Sequence, residues 1–152
     1  MAVELKTVEM RAWVAFLDAQ AIVLRQLEAE LIEKEDMTLA EFDVLIQLAI
    51  APDHRLRMTE LAERVRLSRS GLTRLVDRMA RAGLVKRARC GSDRRGTFAT
   101  LTAPGAARLR RARPVHLRGI REHFGKRLSA AQLSAVAEAL EPLGAKVDRT
   151  KD

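Results

Sequence analysis

Between Leu5 and Lys34 the apolar residues Leu5, Val8, Ala12, Trp13, Phe16, Val23, Leu24, Leu27 and Leu31 follow three- and four-residue steps. That spacing marks one face of an α-helix. A helix of this length measures about 42 Å at 1.5 Å per residue. A small domain is narrower than that, so one chain can hardly bury the whole stripe. A partner copy is expected over the remainder. Composition points to the same architecture: aromatic residues are 3% of the chain, Tyr is absent and 47% of residues are hydrophobic. An aliphatic helical core suits these proportions better than a sandwich of aromatic-rich strands.

Further elements follow from capping residues and period. Thr38-Leu39-Ala40-Glu41 reads as a capping box that opens a second helix, with Phe42, Leu45, Ile46 and Ala49 inward and Pro52 as its stop. An extended piece at Leu56 to Met58 precedes a third helix, capped by Thr59 and burying Leu61, Ala62 and Val65. Ser68 caps a fourth, whose apolar face carries Leu72, Leu75, Val76 and Met79 and which ends at Gly83. The period then changes. Residues 84–87 and 97–101 read as two short strands around a basic tip at Ala88 to Gly96. Thr102 caps a fifth helix, which tolerates Pro104 in its first turn, should kink at Pro114 and is loosened by Gly119. Ser129 opens a sixth helix through Leu140, with fraying expected after Pro142. The fold class is therefore mainly α with a small β-wing.

Charge is distributed unevenly over the 152 residues. Residues 1–54 carry 4 basic against 11 acidic residues, a net of −7. Residues 55–95 carry 13 against 4, a net of +9. Such a block is an electrostatic footprint for a polyanion, although a solvated basic surface has the same composition. The order of elements decides between them: a short helix, a tight turn, a helix with one basic face, then a basic hairpin. A helix fits the major groove of B-DNA, and side chains at the start of a recognition helix reach base edges. Here those are Arg69, Ser70, Thr73 and Arg74, with Ser68 at the cap and Arg78 further along. Lys86, Arg87 and Arg89 are placed as phosphate contacts, and Arg94 and Arg95 at a tip narrow enough for a minor groove.

The run MTELAERVRLSRSGLTRLVDRMARAGLVKR, then SDRRGTFATLT and Gly105, closely resembles the MarR family of regulators. The resemblance covers most of the chain and is strongest over residues 56–105. It implies one domain, with a winged helix-turn-helix lobe at about 38–102 and helical dimerisation segments at about 5–34 and 103–141. It further implies a homodimer on double-stranded DNA at a pseudo-palindromic operator, acting as a repressor. Asp93 and Arg95 match the family's D-x-R pair, and Asp77 matches a position that pairs with the wing arginine corresponding to Arg95. These three would brace the wing against the fourth helix. Relatives that sense small aromatic or phenolic acids bind them between the dimer helices and the DNA lobe. Trp13, Phe42 and His116 are the candidates to line such a pocket here, with core or interface packing the favoured alternative.

Other chemistry finds little footing. No Gly-rich phosphate loop, HExxH, G-x-S-x-G or CxxC is present, so no enzyme, cofactor or metal is expected. His116 and His123 stand seven apart, too far for an i, i+4 ligand pair. Cys90 lies beside Arg89, where positive charge lowers a thiol pKa, but a passive loop cysteine is the favoured reading. The arginines between Arg108 and Arg121 are expected to pair with the acidic first helix. The opening residues lack the parts of a secretory signal and no apolar run reaches membrane-spanning length, so a cytoplasmic protein away from membranes is expected. The remaining rival is an architectural protein that coats nucleic acid without sequence preference.

Overall fold

The computed structural model describes residues 4–90 and 93–144, the side chains of residues 90 and 93–95 excepted. The helices are α1 (Thr7–Glu35), α2 (Leu39–Ile50), α3 (Met58–Val65), α4 (Arg69–Arg81), α5 (Ala103–His123) and α6 (Ala130–Gly144). Three strands, β1 (Arg55–Arg57), β2 (Val85–Cys90) and β3 (Asp93–Leu101), form an antiparallel sheet in the order β1-β3-β2. Short 3-10 turns occupy Pro52–His54 and Gly125–Arg127.

The core lies where α2, α3 and α4 meet the sheet. Phe42, Val44, Leu45 and Leu48 of α2, Leu61 of α3, Leu72, Val76 and Met79 of α4, and Val85 and Ala99 of the strands are all buried. Leu31 of α1 and Leu109, Ala112 and Val115 of α5 close this cluster from below. Fully burying a side chain of this kind stabilises a fold by about 1.5–3 kcal/mol. Thr38 Oγ1 accepts from the Glu41 amide at 3.2 Å and Glu41 Oε2 accepts from the Thr38 amide at 2.8 Å, so the capping box at α2 is formed. Glu41 also reaches Arg78 Nε at 3.7 Å, tying α2 to α4.

Several boundaries differ from the sequence reading. The third helix begins at Met58 with Arg57 as its N-cap, so Thr59 sits inside the first turn and caps nothing. Strand β1 leads directly into it, and the earlier start lets Leu56 bury while the helix begins at once. The hairpin strands run to Cys90 and from Asp93, so most of the expected basic tip is strand. Helix α5 runs unbroken through Pro114, and α6 continues through Pro142 to Gly144. Gly119 is a contact point instead of a loose joint. A Cβ there would stand 2.6 Å from Leu27 Cδ2 and 3.0 Å from Glu30 Oε2, so the missing side chain lets α1 and α5 approach.

The acidic end of α1 does take partners on α5. Arg108 donates to the carbonyl oxygens of Glu35 (2.8 Å) and Asp36 (3.1 Å), Arg111 meets Glu35 Oε2 at 3.2 Å, and His123 Nε2 lies 2.6 Å from Glu30 Oε1. The first four turns of α1 are exposed throughout. Only Leu27 and Leu31 of its 29 residues are buried, and α6 buries none. Phe16, Val23, Leu24, Phe124, Val136 and Leu140 instead line an open apolar groove of about 650 Å³ between the two helices.

Candidate nucleic-acid interface

The turn between α3 and α4 positions the basic helix. Arg66 ends α3 in the left-handed conformation (φ 58°), and the Leu67 amide donates back to the Ala62 carbonyl at 3.2 Å. Leu67 thereby packs on the core. Arg66 lies close enough to Asp43 on α2 to pull its carboxyl down, while the larger effect, burial, pushes that carboxyl above the usual range. Ser68 Oγ then accepts from the Gly71 amide at 3.1 Å and starts α4. With Leu72, Leu75, Val76 and Met79 buried, the opposite side must face solvent. Arg69, Ser70, Arg74 and Arg78 are exposed there and Thr73 is half-buried. Arg74 Nε leans on the Ser70 carbonyl at 3.4 Å. The sequence-predicted residues of α4 thus share one surface.

The wing stands beside this helix and divides its basic residues between two faces. Successive strand residues point to opposite sides of a sheet. Arg87 turns toward α4 and pairs with Asp77 Oδ1 at 2.5 Å, while Lys86, paired with Thr100, points to the other side. Asp77 therefore links α4 to the wing through Arg87 on β2. The expected partners Asp93 and Arg95, with Arg94 and the Cys90 thiol, have side chains outside the described residues. The hairpin register shifts between Arg89 and Cys90. Behind the wing, Thr102 Oγ1 donates to the Gly83 carbonyl at 2.6 Å and accepts from the Gly105 amide at 3.1 Å. One hydroxyl joins the end of α4 to the start of α5.

Two cations on the other side of the sheet were not singled out from sequence. Arg55 and Arg57 on β1 lie over the Phe98 ring, 5.0 and 5.2 Å from its centroid. The alternation Arg55-Leu56-Arg57, with only the leucine apolar, was the available signal.

Within one chain, two of the three suggested pocket residues meet and Trp13 stands apart from them. Phe42 is buried with its ring 4.3 Å from that of His116, so the two fill space between α2 and α5. Burial holds the His116 imidazole below its ordinary pKa. Trp13 is half-exposed and stacks on Phe16 at 6.1 Å. It stands 18 residues before Leu31 on α1, about 27 Å away along the axis. Among the described residues, no group of three His, Cys, Asp or Glu side chains could hold a metal ion. No helix there is long and apolar enough to cross a membrane.

A helix-turn-helix followed by a β-hairpin wing that pairs with a strand before it, flanked by long helices at both ends, is the winged-helix architecture of a class of transcription regulators. A family model described as the MarR family matches residues 35–96. Two Streptomyces coelicolor structures are similar over nearly the whole chain. The MarR family transcriptional regulator Sco3205, solved in complex with DNA, is 31% identical, with 99% of this chain and 94% of that one covered and a TM-score of 0.88. The MarR family transcriptional regulator AbsC is 33% identical, with 96% and 98% covered and a TM-score of 0.85. The chain belongs to the MarR family of transcription regulators. Among curated proteins, the HTH-type transcriptional repressor YetL of Bacillus subtilis is 41% identical over 76 residues, 50% of this chain and 46% of that protein. The chain spans about half the length of the curated relatives it matches.

Proposed function

We propose that the protein is a homodimeric, sequence-specific repressor that seats α4 of each copy in successive major grooves of a pseudo-palindromic operator. The observation that carries this reading is the surface of α4: one continuous basic side, bearing Arg69, Arg74 and Arg78, opposite a fully buried apolar one. Arg69 and Arg74 are the guanine-reading candidates, because a guanidinium pairs bidentately with guanine O6 and N7. Ser68, Ser70 and Thr73 offer hydroxyls to base or phosphate. Arg78 and Arg89 serve as phosphate contacts, and Arg94 and Arg95 as the wing's minor-groove contacts. The solved DNA complex of Sco3205 supports a DNA ligand, and the repressor name of YetL supports the direction of control. Recognition helices in such dimers stand about 34–36 Å apart, and the bare faces of α1 and α6 are the surface a second copy would cover. A small aromatic effector would act by favouring a lobe spacing that misfits DNA, through its differential affinity for the two arrangements.

Fluorescence anisotropy against the DNA upstream of its own gene, beside a scrambled duplex, tests this reading over a salt series. Specific binding should exceed the scrambled control by about 10³-fold or more. Arg74→Ala should weaken the specific complex by about 10- to 100-fold and relax preference at one base position. Equal binding to both duplexes by the parent protein would instead identify an architectural protein.

Asp77 has a separate expected signature. Its ion pair with Arg87 is 32% and 42% exposed on the two sides, so Asp77→Ala should cost less than about 1 kcal/mol of stability. Removing the carboxylate raises net positive charge, which strengthens scrambled-DNA binding, yet it releases the wing from α4, which weakens operator binding. The ratio of the two affinities should fall about tenfold. An unchanged ratio would show that Asp77 only offsets neighbouring charge.

A further inference from the structure

The two carboxylate oxygens of Glu41 meet different partners. Oε2 accepts from the Thr38 amide at 2.8 Å and closes the capping box, while Oε1 lies 3.7 Å from Arg78 Nε on α4. The second distance is too long for a hydrogen bond and suits a charge contact. The hydrogen bond of a capping box is served equally by glutamine, so the negative charge at this position exceeds what the start of α2 requires. Its placement is selective. Among the described residues Arg78 is the only arginine of α4 in ion-pair range of a carboxylate. Arg74, one turn earlier, leans on the Ser70 carbonyl instead.

One member of this pair is anchored and the other is not. The Glu41 side chain is 19% exposed and the Arg78 side chain 58%. The corner between α1 and α2 that carries the capping box is fixed from several directions. Arg108 of α5 donates to the carbonyls of Glu35 and Asp36, the Leu39 amide donates to Glu28 Oε1 at 3.4 Å, and Met37 is buried. A carboxylate held on such a corner does not follow a mobile arginine; the arginine is drawn to it. Contact through Nε occupies one edge of the guanidinium and leaves the Nη donors for another acceptor.

Arg78 lies in the last turn of α4. Base edges are met by the start of a recognition helix, so a cation this far along it suits the phosphate backbone. We propose that Glu41 is a positioning residue for DNA binding: it holds the Nε edge of Arg78 against the fixed corner of α1 and α2 and so turns the other edge toward a backbone phosphate. The inference rests on the DNA-binding reading above and assigns the aim of Arg78 to a residue of α2. An arginine already held in place loses less side-chain entropy when it meets its ligand. The same carboxylate also repels the duplex, but that repulsion crosses solvent and is screened over about 8 Å at physiological salt. Orientation therefore outweighs repulsion in the operator complex. The two effects have opposite signs, which makes them separable.

A double-mutant cycle on the duplex from upstream of the gene tests this. Glu41→Gln keeps the capping-box acceptor and removes the charge, so its melting midpoint should stay within about 4 °C of the parent. It should bind about three- to tenfold more weakly than the parent. Arg78→Ala alone should bind about tenfold more weakly, with a salt slope lower by about 1. Adding Glu41→Gln to Arg78→Ala should cause no further loss, because the residue it positions is already gone. A structural role for Glu41 would lower affinity equally in both backgrounds, and a role in local charge alone would raise it in both. Either result overturns the proposal, as does Arg78→Ala binding at the parent level. If Glu41→Gln melts early, Arg78→Lys carries the test. It leaves the capping box intact and keeps the charge but lacks the Nε edge, so it should bind about three- to tenfold more weakly at the parent salt slope. Parent affinity in Arg78→Lys overturns the proposal. Parent protein that binds neither the upstream nor the scrambled duplex overturns the DNA-binding reading itself.

Discussion

Leu24→Glu is expected to convert the proposed dimer into monomers and to reduce operator affinity by about 100-fold or more. Leu24 lies on the apolar groove between α1 and α6 and is 41% exposed in the single chain. In an isolated subunit a glutamate there would remain in water, so the monomer fold should survive. Across a two-fold interface the same carboxylate would be desolvated opposite apolar side chains, which is costly without a partner cation. Losing the dimer makes binding of the second half-site a separate event and removes an avidity gain of about 10²–10⁴. Sedimentation equilibrium reads the first effect and anisotropy on the operator reads the second. A variant that still sediments as a dimer and binds at the parent level would place the subunit interface elsewhere.

Gly105→Ala should lower stability by about 3 kcal/mol, at the upper end of ordinary overpacking. Gly105 is buried in the first turn of α5, and a Cβ there would stand 2.0 Å from the Leu84 carbonyl oxygen and 2.9 Å from Leu101 Cδ1. The carbonyl is backbone and already accepts from the Thr102 amide at 3.2 Å, so it is unable to swing aside as a flexible side chain would. The helix must shift, which loosens the joint that Thr102 makes with Gly83. For a chain of this size the melting midpoint should fall by roughly 10 °C. Gly83→Ala is the contrasting control. Nothing lies within 4 Å of its added methyl, but its φ of +77° costs an L-residue roughly 1–2 kcal/mol. If Gly105→Ala melted at the parent temperature, α5 would not approach the sheet this closely.

Much of the fold could be read directly from the chain because its signals are local. The three-four spacing of the α1 stripe, the Thr38 and Ser68 caps and the shift to period two after Gly83 each depend on residues within a few positions. The corresponding elements are all present. The basic side of α4 followed from the same periodicity, since burying Leu72, Leu75, Val76 and Met79 leaves the arginines only the solvent side. Errors arose where a longer-range interaction outweighed a local preference. Thr59 is a better cap by residue type than Arg57, but β1 pairs with β3 up to Arg57 and the helix must begin where that strand ends. Gly119 reads as a weak point in an isolated helix, yet it is the place where α1 approaches.

Local sequence determined the order of the elements, the helix-turn-helix and its basic surface, and the apolar stripe along α1. Tertiary structure alone decided which cations share a side. Arg87 and Lys86 are neighbours in the chain, but pairing in the sheet sends one to Asp77 and the other to the outer face with Arg55 and Arg57, residues some 30 positions earlier. Tertiary structure also separated Trp13 from Phe42 and His116, because a straight helix carries its first turns far from the core that its last turns enter. The physical reason is common to both cases. Caps and periodicity act over one or two turns, whereas strand register and helix crossing depend on how residues distant in sequence pack.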